Sequence, residues 1–103
     1  MQTAVQNKRI LISLLKANSQ KLKSYGVSSL SIFGSFITGK LNADSDVDLL
    51  VDFYPSQKSY DNFMDLSFFL EDLLGRKVEL VTPQSLSKYI GSHILKQAEH
   101  VAI

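Results

Sequence analysis

The chain has 103 residues, a net charge of +1 and no cysteine. That length holds one domain, residues 1–103, with a core large enough to fold alone. The near-neutral balance excludes nucleic-acid binding by bulk electrostatics, and the lack of thiols excludes disulfides and cysteine-based zinc sites.

Lys8 and Arg9 precede only ILISLL, and polar KANSQK follows where a signal peptide would show a small-residue cleavage site. No apolar run approaches the ~20 residues of a membrane span. A soluble, unprocessed, cytoplasmic protein without membrane contact is expected. Every charged residue before Asp44 is basic (Lys8, Arg9, Lys16, Lys21, Lys23, Lys40). A solvated helix face explains this more simply than a phosphate-binding one.

From about residue 5 to 24, Ile10, Leu11, Leu14, Leu15 and Leu22 recur at helical spacing, and Gly26 is a natural stop. VSSLSIFG alternates Leu30 and Ile32 against serines and predicts a strand. DVDLLVDF predicts a second, with Val47, Leu49 and Val51 on one face and Asp46 and Asp48 on the other. YDNFMDLSFFLEDLLGR places Phe63, Leu66, Leu70 and Leu73 on one helical stripe closing at Gly75. Phe68 and Phe69 cannot both face the core, so one is expected outside. Arg76 and Lys77 read as solvated. KVELVT predicts a third strand, ended by Pro83. The tail from Ser85 to about Val101 reads as mostly helical, with Ile90, Ile94, Leu95 and Ala98 apolar. His93 and His100 lack metal-ligand spacing. The order α-β-β-α-β-α predicts an α+β fold, a small mixed sheet with helices mainly on one face.

The stretch GSFITGKLNADSDVDLLVDF, residues 34–53, concentrates the chemistry. As a calcium loop counted from Asp44 it fails, because Leu49 and Pro55 stand where glycine and glutamate are required. As a G-x-x-x-x-G-K-[ST] phosphate loop it lacks the final hydroxyl, Leu41 taking that place, and a turn-like LNADSD replaces the helix. A third reading needs less. Gly34 at a strand end lets backbone approach a ligand. Ser35 adds a hydroxyl, and a short helix starting near Phe36 would aim N–H groups at an anion. Asp46 and Asp48, two apart on a strand, share a face. Like charges roughly 5 Å apart repel by about 3 kcal/mol at an effective dielectric of 20. A half-buried pair therefore favours a cation, and magnesium bridging carboxylates to phosphates meets that need. These are the parts of a phosphoryl- or nucleotidyl-transfer site. Asp44 reads as a turn residue and Asp52 as surface.

Gly34-Ser35, ten residues, then Asp46-x-Asp48 resembles the motif of the DNA polymerase β-like nucleotidyltransferase superfamily. SDVDLLV and the later LLGRKVELVT resemble its minimal nucleotidyltransferase branch, from about Val27 to the C-terminus. The resemblance implies ATP as substrate and transfer of AMP to an acceptor. It implies Gly34 and Ser35 at the triphosphate, and two Mg2+ ions on Asp46 and Asp48. Glu79, where many members carry aspartate, would be the third carboxylate and proton acceptor. Thr38 stands where members often carry arginine, and Lys40 is the candidate replacement at the phosphates. Many members are antitoxins of toxin–antitoxin systems that pair with a HEPN-type toxin and adenylylate its tyrosine, implying a hetero-oligomer. A weakly active antitoxin acting by direct binding, and an ATP sensor without turnover, are the competing expectations.

Overall fold

The structure is a computed structural model that describes residues 4–86 and 88–103. Two short helices, α1 (Lys8–Ala17) and α2 (Ser19–Ser24), lead into β1 (Val27–Phe33), a single helical turn α3 (Ser35–Thr38) and β2 (Val47–Phe53). Then come α4 (Tyr60–Leu74), β3 (Val78–Val81), α5 (Lys88–Gln97) and β4 (Glu99–Val101). The four strands form one mixed sheet in the order β3-β2-β1-β4. β1 runs antiparallel to β2 and β4, whereas β2 and β3 are parallel.

Local chemistry sets the element ends. The Asn7 side chain accepts from Ile10 N–H at 2.8 Å and starts α1. The single helix expected from residue 5 to 24 breaks at Asn18, whose side-chain amide donates to Leu14 O at 2.8 Å. That bond adds to the one from the Asn18 backbone N–H to the same carbonyl at 3.2 Å, and the chain restarts as α2 at Ser19. The Ser59 hydroxyl caps α4 by accepting from Asn62 N–H at 3.1 Å. Gly75 closes it at φ 66°, a left-handed conformation that glycine adopts without strain.

One face of the sheet meets the helices. Leu30, Ile32, Val47, Leu49 and Val51 are fully buried against Leu11, Leu15, Leu22, Leu66, Leu70 and Leu74. Each such side chain contributes about 1.5–3 kcal/mol of burial. Val27 also enters this core although it lies three residues from Leu30, because the pairing of β1 with β2 slips between Val27 and Ser29. A bulge of that kind restores the inward parity. Ile10, read as a core position, is exposed, while Leu74, which that reading omitted, is fully buried. Phe69 packs on Tyr25 with ring centroids 5.7 Å apart, leaving Phe68 as the exposed member of the pair. The side chain of Ile90 lies outside the described residues.

The largest correction falls at the C-terminus, where the expected helix stops at Gln97 and Glu99–Val101 form β4. Val101 pairs with Leu30 and is buried. β1 offers an unfilled row of backbone donors and acceptors there, and this tertiary demand outweighs the weak helical preference of three residues. Among the described residues no helix is long and apolar enough to cross a membrane.

Candidate active site

β1 ends at Phe33, and Gly34 turns the chain into α3 at φ 77° and ψ −148°, a region essentially restricted to glycine. Its carbonyl accepts from Ile37 N–H at 2.9 Å and Thr38 N–H at 3.0 Å, so Ser35 and Phe36 open the helical turn. Their N–H groups have no acceptor within that turn.

The sheet brings the carboxylates to this corner. Phe33 pairs with Asp48 across β1 and β2, and Asp48 pairs with Glu79 across β2 and β3. Directly paired residues project to one face, so Glu79, 31 positions further on in the chain, becomes a neighbour of Asp48. It is the face opposite the helical core, because Val47 and Leu49 point the other way and are fully buried. A Cβ placed on Gly34 would lie 2.0 Å from Asp48 Oδ2. The glycine backbone therefore lies directly against the carboxylate, and any side chain there would displace it.

Burial first, then the negative charge of Glu79, a hydrogen bond with Glu79 and the charge of Asp46 push the Asp48 carboxyl from its usual 3.8 up to about 6. Asp46, one residue before β2, is thus close enough to act on Asp48 electrostatically. Three carboxylates crowd one corner, and their mutual repulsion is of the kind a divalent cation relieves. This donor set fits Mg2+ in chemistry. Among the described residues, though, no three carboxylate or imidazole groups converge closely enough to hold an ion as they stand. Capture would require the side chains to rotate toward it.

Lys40 is exposed just beyond Gly39, on the loop that returns to Asp46. Thr38 is exposed at the end of α3. Asp44 lies in the following turn, but the turn is built by its neighbours. Asn42 Oδ1 accepts from Asp44 N–H at 2.8 Å, and Ser45 Oγ accepts from Asn42 N–H at 2.9 Å. Asp52 is half-buried further along β2, and His93 contacts Gln97 at 3.1 Å on α5.

Arg76 corrects the sequence reading. Its side chain is half-buried and bonds to backbone carbonyls instead of facing solvent. Its position directly after the glycine that closes α4 was the only local signal, since every bonding partner is at least 31 residues away.

Comparison with known proteins identifies relatives of this chain. The profile of the nucleotidyltransferase domain family matches residues 11–100. A protein from Thermococcus cleftensis named protein adenylyltransferase MntA is 39% identical over 86% of this chain and 90% of its own. A solved structure assigned as a minimal nucleotidyltransferase superposes with a TM-score of 0.69 at 29% identity, covering 85% of this chain and 93% of that one. A toxin–antitoxin crystal structure with AMP-PNP superposes at 0.66, covering 94% of this chain and 73% of that one, and at 23% identity it shows the shared fold. With a family profile spanning most of its length and a sheet that sets the Gly34 turn against Asp48, this chain belongs to the nucleotidyltransferase domain family.

Proposed function

We propose that the protein is a magnesium-dependent adenylyltransferase that moves AMP from ATP to a hydroxyl of a partner protein and thereby acts as an antitoxin. The observation that carries the reading is the contact of the Gly34 backbone with the Asp48 carboxylate, with Glu79 in register beside it. A phosphate anchor and acidic ligands then share one corner. The name of the Thermococcus cleftensis relative supports adenylyl transfer to protein, and the toxin–antitoxin neighbour supports a toxin as partner. A HEPN-type toxin with an acceptor tyrosine follows from the sequence resemblance.

Gly34 admits the triphosphate close to backbone, and the Ser35 hydroxyl with the first N–H groups of α3 orients it. Asp46, Asp48 and Glu79 would hold the ions. Mg2+, when bound, supplies charge neutralisation along the triphosphate and makes pyrophosphate a better leaving group. Glu79 stands at the open edge strand of the sheet, where it can accept the proton of the attacking hydroxyl. The acceptor oxygen bonds to the α-phosphorus as the bond to the bridging oxygen of pyrophosphate breaks.

The test is incubation with labelled ATP, Mg2+ and a small helical HEPN-type toxin as candidate partner. Label should reach the toxin with the wild-type protein and not with Asp46→Ala or Asp48→Ala. Equal transfer by the variants, or none by the wild type, would overturn the reading. A second reading, neutralisation by direct binding with little catalysis, draws on Glu79 where many members carry aspartate and on Thr38 where members often carry arginine. It requires Asp48→Ala to protect cells as well as the wild type. Loss of protection while the complex still forms would exclude it.

A further inference from the structure

Arg76 is tied to both halves of the candidate site without belonging to either. Its Nε donates to Val5 O at 2.7 Å, which secures the N-terminal segment. Its Nη1 is shared among Ser45 O at 2.8 Å, Asn42 O at 3.1 Å and Ala43 O at 3.3 Å. These three carbonyls belong to the turn that runs straight into Asp46. The guanidinium also lies over the Phe36 ring, 5.5 Å from its centroid. Phe36 is buried and follows Ser35 in α3. Next to Arg76, the Lys77 carbonyl accepts from Val47 N–H at 2.9 Å, which fixes the start of β2 on the other side of Asp46.

We infer that Arg76 is a positioning residue: it sets the Asn42–Ser45 turn, and so Asp46, relative to the Gly34–Ser35 corner. The inference deepens the proposed function and takes from it the role of Asp46 as a metal ligand. Arginine suits the task for a geometric reason. A planar fork can bond two segments and stack on an aromatic ring at once, whereas a lysine ammonium on a flexible stem cannot do all three. Groups that orient a metal ligand from behind cost about 10- to 100-fold in metal affinity when altered. Arg76 never needs to touch the nucleotide for its loss to be felt.

The test compares Arg76→Lys and Phe36→Leu with the wild type in the full chain. The first variant retains a cation and the second retains every hydrogen bond, so both are conservative enough to fold. One readout is amide hydrogen exchange. The N–H groups of Asn42, Asp44, Ser45 and Val47 are all hydrogen-bonded in the structure and should be protected in the wild type. The second readout is the Mg2+ concentration giving half of the ATP-dependent rise in melting temperature. Arg76→Lys should speed exchange in the turn by about tenfold while amides of β1 and α4 keep wild-type rates, and it should raise the required Mg2+ by about tenfold. Phe36→Leu should move both readouts in the same direction by less. Wild-type exchange in the turn of Arg76→Lys would overturn the inference. Faster exchange spread evenly over β1 and α4 would overturn it as well, since Arg76 would then be a general staple. If the wild type shows no response to Mg2+ and ATP, the proposed function falls, and the exchange measurement still decides whether Arg76 holds the turn.

Discussion

Replacing Asp48 with asparagine should make the protein more stable while removing its activity. Asparagine has the shape of the neutral acid, can donate to Glu79 as that acid would, and never ionises. In the folded protein the carboxyl is pushed from 3.8 to about 6, burial being the largest cause and Glu79 the next. A raised folded-state value means that the native state holds the proton more tightly than the unfolded chain. The associated stability is therefore fully present below pH 3.8 and is lost as pH rises through about 6. At 1.36 kcal/mol per pH unit this amounts to about 3 kcal/mol at most. Asp48 is only half-buried, so solvent screening reduces the figure to about 1–1.5 kcal/mol. For a domain of this size that is a gain in Tm of about 5 °C at pH 8. The assay is thermal unfolding of wild type and Asp48→Asn at pH 8 and at pH 4.5, without divalent ions. The gain should be clear at pH 8 and smaller at pH 4.5, where the folded wild type holds much of the proton and the unfolded chain has taken up little of it. Mg2+ at pH 8 should raise the wild type toward the variant, because an ion that binds the folded state alone stabilises it. An equal gain at both pH values, or a less stable variant at pH 8, would refute the claim that crowded negative charge is stored at this corner.

Gly34→Ala should lose both activity and stability, by about 2–4 kcal/mol, since it adds a strained backbone at φ 77° to a Cβ 2.0 Å from Asp48 Oδ2; denaturant unfolding beside AMP transfer would show it. Leu70→Ala, at a fully buried position on α4, should cost about 2–5 kcal/mol with little change in the affinity of whatever protein remains folded. Removing the Ser59 cap with alanine should cost about 1 kcal/mol, and glycine there should cost less, as urea midpoints would reveal. Breaking the exposed Lys8–Glu99 ion pair, 3.0 Å long, should change stability by less than about 1 kcal/mol and less still in high salt.

What the sequence determined by itself was whatever repeats over a few residues. The alternation of Val47, Leu49 and Val51 against Asp46 and Asp48 announces a strand and sends the carboxylates away from the core. The stripe Leu66, Leu70 announces a helix, and Gly34 marks the place where the chain turns out of a strand. Glu79 was legible as an alternating strand residue, but its place beside Asp48 was not, because a parallel register is set by how two strands dock. The break falls at Asn18, whose side-chain amide caps the end of α1 on the Leu14 carbonyl. β4 formed because β1 had an edge to fill, a demand that nothing in EHV itself expresses. Arg76 read as solvent-exposed for the same reason: its partner at Val5 lies 71 residues away. Periodicity is local and survives in the order of residues. Hydrogen bonds between distant segments, and the crowding of charge they create, come into being only when the chain closes on itself.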